Sequence, residues 1–97
     1  MASYDLSLIQ QTVAKHGIES FTMMALNGIV TMGMNMEQAL AVIAKLTPSE
    51  FYKTMPSQKD PGMFQDVYRA LTPNGKTAYI KFTAYTNGRV VIQFKEK

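Results

Sequence analysis

The residues that could do chemistry lie almost entirely after position 52. Eight bases occur there, Lys53, Lys59, Arg69, Lys76, Lys81, Arg89, Lys95 and Lys97, against Asp60, Asp66 and Glu96; before it, Lys15 and Lys45 face four acids. The halves carry −2 and +5 within a formal net charge of +3. Tyr79 and Tyr85 are interleaved with the later cations. Ammonium and guanidinium groups meet phosphates by charge, and phenol rings meet nucleobases by stacking, so this half points to an anionic partner, nucleic acid first. A solvated sheet face with lysines guarding its edges is the plainer reading of the same residues, and composition weighs the two about equally.

Several chemistries are disfavoured. Without cysteine there are no disulfides, thiolate metal sites or Cys nucleophiles, and a single histidine, His16, cannot assemble a zinc site, so no metal and no cofactor is expected. His16 ends a helical pattern, where it complements the helix dipole. "PNGK" and "TNGR" are hairpin turns, because no helix follows to make them phosphate loops. Lys59 and Asp60 sit in a loop where charges are usually just solvated. With 97 residues, 46% of them apolar, the chain supports one domain over 1–97 and one core. No run of roughly 18 apolar residues and no basic leader is present, so a soluble, cytoplasmic protein is expected.

The elements that must position these residues change character along the chain. In the first half apolar residues recur every three or four positions. A helix is expected from about Tyr4 to Lys15, with Ser3 as N-cap, Leu6, Ile9 and Val13 inward and Gly17 as stop. "GIESFT" reads as a short edge strand. A second helix, about Thr22 to Met32, ends at Gly33, with Met34 folding back. Asn35 and Gln38 form a capping box for a third, which buries Met36, Ala39, Leu40 and Ile43. Thr47, Pro48 and Glu50 open a fourth, short helix that carries "FYKTM" on its final turns. After "PSQKDPG" the period becomes two. Strands are expected at about Met63–Leu71, Lys76–Thr86 and Arg89–Glu96, giving an α+β fold with N-terminal helices on one face of a C-terminal antiparallel sheet.

Register decides which side chains share a face. A two-residue loop at Asn87-Gly88 would bury polar groups, setting Phe82 beside Gln93 and Ile80 beside Lys95. A three-residue loop, Thr86-Asn87-Gly88 with Gly88 left-handed, pairs Ala84 with Val90, Phe82 with Ile92 and Ile80 with Phe94, a clean apolar face. Pro73-Asn74-Gly75 does the same for the previous hairpin, setting Ile80 against Tyr68 and Tyr79 against Arg69. Tyr79 then lies opposite Lys95. Gln65, Val67, Arg69, Lys81, Thr83, Tyr85, Arg89, Val91 and Gln93 join them on the outer face. Asp66 and Glu96 alternate out of phase with Gln65 and Lys95 and point elsewhere.

"FYKTM", "FQDVYR", "AYIKFTAY" and "VVIQFKEK" resemble, in order and spacing, segments of the motility quorum-sensing regulator toxins of type II toxin–antitoxin systems. The resemblance is specific over about residues 33–97; Phe64 stands where that family usually has Trp. It implies a RelE-like fold and a metal-independent endoribonuclease, an mRNA interferase cutting single-stranded mRNA at short, GCU-like sequences. It also implies a cognate antitoxin, typically zinc-binding with a helix-turn-helix region, through which operator DNA is met indirectly. The family's functional positions fall on Lys53, Gln65, Tyr79 and Lys95 as catalytic candidates; Arg69, Lys81, Tyr85 and Arg89 are the RNA-binding candidates of the same face. The competing reading is a non-catalytic basic module that binds nucleic acid or protein.

Overall fold

The computed structural model describes residues 2–97. Three helices, α1 (Leu6–His16), α2 (Met23–Thr31) and α3 (Met36–Ala44), precede four strands, β1 (Phe51–Pro56), β2 (Phe64–Leu71), β3 (Thr77–Ala84) and β4 (Val90–Glu96). The strands form one antiparallel sheet in the order β1-β2-β3-β4. Ile9 and Val13 of α1, Ala25 and Ile29 of α2, and Ala39 and Ile43 of α3 bury against Tyr68, Ile80, Phe82, Ile92 and Phe94. Helices therefore cover one face of the sheet, the expected α+β arrangement.

Cap chemistry sets most helix ends where the sequence places them. The Asn35–Gln38 box is reciprocal, with the Gln38 N–H donating to Asn35 Oδ1 (2.8 Å) and the Asn35 N–H to Gln38 Oε1 (3.0 Å). At the end of α2 the Met34 N–H donates to the Ile29 carbonyl and the Gly33 N–H to the Val30 carbonyl. Gly33 at φ 79° makes that pair of hydrogen bonds possible, and buried Met34 folds back into the core.

Three expectations are corrected. The N-cap of α1 is Asp5, whose carboxylate accepts from the Ser7 and Leu8 N–H groups. The Ser3 and Tyr4 N–H groups donate instead to buried Asp66 (2.9 and 2.8 Å), which also accepts from the Thr54 hydroxyl (2.6 Å). A carboxylate buried on the core side thus ties the start of the chain to the sheet, since burying it without donors would cost far more than the bonds return. "GIESFT" is a 3-10 turn at Gly17–Ser20 followed by one parallel bridge, Phe21 to Ile92. The expected fourth helix stops at a 3-10 turn, Pro48–Glu50, and "FYKTM" is strand β1. Its aromatic and β-branched residues suit a pleated surface, and β2 offers a free edge to pair.

Both hairpin loops have the length that the apolar pattern demands. Tyr85 N–H donates to the Arg89 carbonyl and Thr72 N–H to that of Lys76, closing three-residue loops that end in Gly88 at φ 87° and Gly75 at φ 81°. The register follows: Tyr68 opposite Ile80, Ile80 opposite Phe94, Phe82 opposite Ile92.

The α2 helix seats against β4 at Gly28, where an added Cβ would run into the Phe94 carbonyl oxygen, far inside contact distance. Helix propensity alone would reward Gly28→Ala. Steric conflict with rigid backbone should reverse that sign: urea denaturation of Gly28→Ala is expected to show a loss of roughly 1–3 kcal/mol.

Candidate functional site

One irregularity in β1 decides which way its side chains point. Phe51 pairs with Tyr68 but Lys53 pairs with Val67, so Tyr52 is an extra residue, a bulge. Strict alternation from core-facing Phe51 would turn Lys53 inward and Thr54 outward. The bulge exchanges them, so that Thr54 reaches buried Asp66 and Lys53 joins the outer face beside Tyr52.

On that face the strands line up polar rows. Lys53, Val67, Lys81 and Gln93 succeed one another across the sheet, and Arg69, Tyr79 and Lys95 form the neighbouring row. The Arg69 guanidinium carbon stands 3.7 Å from the centroid of the Tyr52 ring, and Lys53 Nζ 5.3 Å from it. Tyr52 meets Tyr79 edge to face at 6.0 Å. Lys81 Nζ and Lys95 Nζ lie 5.9 and 5.8 Å from the Tyr79 centroid. Two phenol rings are thus ringed by four cations. Among the described residues the ion pair within 4.0 Å is Lys76–Glu96, away from this cluster, so none of the four has a carboxylate at that range.

The electrostatic cost falls on Lys81. Half-buried on the central strand β3, it has a pKa lowered below the ordinary 10.5, first by burial and then by the charges of Lys95 and Lys53. Edge protection does not require a lysine there, since β3 is paired on both sides.

Beside the rows lies a groove of about 320 Å³, lined among others by Gln65, Thr83, Tyr85, Arg89 and Gln93. Its far wall is the 57–62 loop. The Tyr85 hydroxyl donates to Asp60 Oδ2 at 2.6 Å, and this bond, followed by burial, raises the pKa of Tyr85. Gln65 Nε2 donates to Thr83 Oγ1 at 3.3 Å. Among the described residues no group of three or more His, Asp or Glu side chains forms a metal-ligand set.

Every sequence-expected site residue lies on this one face, divided between two patches. Lys53, Arg69, Tyr79, Lys81 and Lys95 gather around the aromatic pair; Gln65, Tyr85 and Arg89 line the groove. Tyr85 holds a loop as well as facing the groove. Tyr52 was missed because "FYKTM" was assigned to a helix; two aromatic residues before an alternating Lys-Thr-Met were the available signal for a strand. Asp66 takes no part, as its phase requires.

The family model described as motility quorum-sensing regulator, toxin of MqsA, matches residues 1–96. The chain belongs to that family. Among curated proteins, the mRNA interferase toxin MqsR of Escherichia coli (strain K12) is 35% identical over 66 residues, which cover 68% of this chain and 65% of that protein. The match thus spans a little under two thirds of the relative's length. In this member of the motility quorum-sensing regulator family the basic rows and the groove occupy the sheet face that the helices leave open.

Because folding depresses the Lys81 pKa, the charged ammonium is a penalty present in full below the folded value and relieved as pH rises toward 10.5. Lys81→Met is therefore expected to raise the urea midpoint at pH 7, with the gain over wild type shrinking at alkaline pH. Chemical denaturation at both pH values checks it.

Proposed function

We propose that this protein is an mRNA interferase: an endoribonuclease that cuts single-stranded mRNA and acts as the toxin of a toxin–antitoxin pair. The observation that carries the reading is the gathering of Lys53, Arg69, Lys81 and Lys95, without carboxylate partners, around Tyr52 and Tyr79. Such a surface matches a flexible polyanion with exposed bases. Family membership and the mRNA interferase activity named for the Escherichia coli relative support the same assignment.

RNA supplies its own nucleophile, so positioned charge and proton transfer suffice. The 2′ oxygen attacks the adjacent phosphorus and loses its proton to a base; the bond to the 5′ oxygen breaks and that oxygen takes a proton from an acid. The products are a 2′,3′-cyclic phosphate and a 5′-hydroxyl. Lys95 and Arg69 stabilise the negative charge that builds on the phosphate. Lys53 is the proton-transfer group, and Lys81, beside the Tyr79 ring, adds to the positive charge that meets the phosphate. Tyr79 stacks on a base or serves as acid, and Gln65 orients the chain from the groove side. No step calls for a metal ion. We infer further that an antitoxin of the MqsA kind, carrying a zinc site and a helix-turn-helix region, sequesters the protein in the cytoplasm and links the pair to operator DNA.

Incubation with a single-stranded RNA, with end mapping, is expected to give discrete cuts with cyclic phosphate ends, unaffected by EDTA. Replacing the 2′-hydroxyl with hydrogen should abolish cutting while leaving binding. Lys53→Ala and Lys95→Ala should each lower the rate by roughly 10²–10³-fold. RNA retarded in a gel yet never cut would instead favour the non-catalytic binding module.

A further inference from the structure

Asp60 stands out against its surroundings. On a face whose other outward charges near the groove are cations, it alone among the described residues places a carboxylate in the groove wall. Of the other acids of this half, Asp66 is buried toward the helices and Glu96 faces Lys76 at the rim. A carboxylate beside a phosphate track repels the phosphate, so phosphate binding gives no reason for its position. Its surroundings are built: the Asp60 N–H donates to Ser57 Oγ (3.2 Å), its carbonyl accepts from the Met63 N–H (3.1 Å), and Oδ2 takes the Tyr85 hydroxyl (2.6 Å).

The groove also has suitable size and continuity. At about 320 Å³ it is at the small end of ligand pockets, the scale of one nucleotide. Gln93, opposite Lys81 in the cationic row, lines both this groove and the small cleft that contains Tyr79 and Lys95. A strand of RNA crossing Lys81 therefore has Tyr79 on one side and the groove on the other.

We propose that this groove is the base-reading pocket of the enzyme, and that Asp60, fixed by Tyr85, selects a nucleobase bearing an exocyclic amino group. The selection rests on the endoribonuclease reading above. Adenine, cytosine and guanine each present an amino N–H donor on their pairing edge, which a carboxylate accepts. Uracil has one N–H, flanked by two carbonyl oxygens that a carboxylate repels, and is excluded. Arg89 and Lys59 at the groove supply cations for the phosphate that accompanies the base.

Titrating the four nucleoside 3′-monophosphates and ribose 5-phosphate into isotope-labelled protein tests the pocket without any cleavage. Amide shifts at Asp60, Thr83 and Asn87 are expected with at least one amino-bearing nucleotide, with the uridine nucleotide and ribose 5-phosphate weaker by roughly five- to one-hundred-fold. Asp60→Asn, whose amide offers both donor and acceptor, should narrow that gap. Equal shifts with all five compounds, or none in the groove, overturn the proposal. End mapping adds a second arm: in Asp60→Asn the relative cutting among sites should be redistributed whatever the total rate, whereas an unchanged pattern counts against it. If the variant loosens the loop, the wild-type titration alone decides. Base-selective shifts from a wild-type protein that never cuts RNA would leave the pocket standing and remove the endoribonuclease reading.

Discussion

The outer face depends on one extra residue in a strand. In a sheet whose side chains alternate strictly, moving Lys53 from the core to the open face requires either a change of register for all of β1 or a local insertion. The bulge at Tyr52 is the second solution. It leaves Phe51 packed edge to face on Tyr68, gives Thr54 to the buried Asp66 carboxylate and frees Lys53 to stand in line with Lys81. The displaced residue is itself used, since the Tyr52 ring carries the Arg69 guanidinium. Core packing, the tether at the start of the chain and the cationic row thus share one backbone irregularity.

The same sheet carries opposite solutions for its two faces. On the helix side, the buried Asp66 carboxylate receives two backbone N–H groups and a hydroxyl, and among the described residues no buried side-chain polar atom lacks a partner. On the open side, four cations lie near one another with no carboxylate at ion-pair distance, and Lys81 bears the consequence as a lowered pKa. The buried charge on the helix side is fully hydrogen-bonded, whereas the cations of the open side are left without a carboxylate partner.

How legible this was depended on which interaction decided each element. The two hairpins could be read because a period-two pattern next to an Asn-Gly turn permits one loop length that leaves Ile80, Phe82, Ile92 and Phe94 on a common face. Helix caps at Asn35, Gly33 and Thr47 are local chemistry and were equally readable. Two misjudged segments turned on distant partners. Ser3 is an ordinary N-cap candidate, yet its N–H bonds to Asp66, 63 residues away, and Asp5 caps the helix. "FYKTM" follows a good helix-start signal that outweighs its own strand-like composition, and pairing with β2 makes it a strand. Tyr52 was lost with it, because a bulge has no pattern of its own in the chain.

The arrangement also explains how a small sheet can position reactive groups without a deep cavity. Side chains on adjacent strands are spaced by the hydrogen-bond ladder, so their separations are held by backbone bonds rather than by loop conformation. Lys53, Lys81 and Gln93 sit on three different strands of that ladder, and Arg69, Tyr79 and Lys95 on the next row. Two such rows make a rigid array of cations and phenol rings, with the groove lying beside it. The groove's outer wall, the 57–62 loop, lies off the ladder and is held to it by the Tyr85–Asp60 side-chain bond together with the Ser57–Met63 backbone pair. A change in that loop can therefore reshape the groove while the rows stay in register.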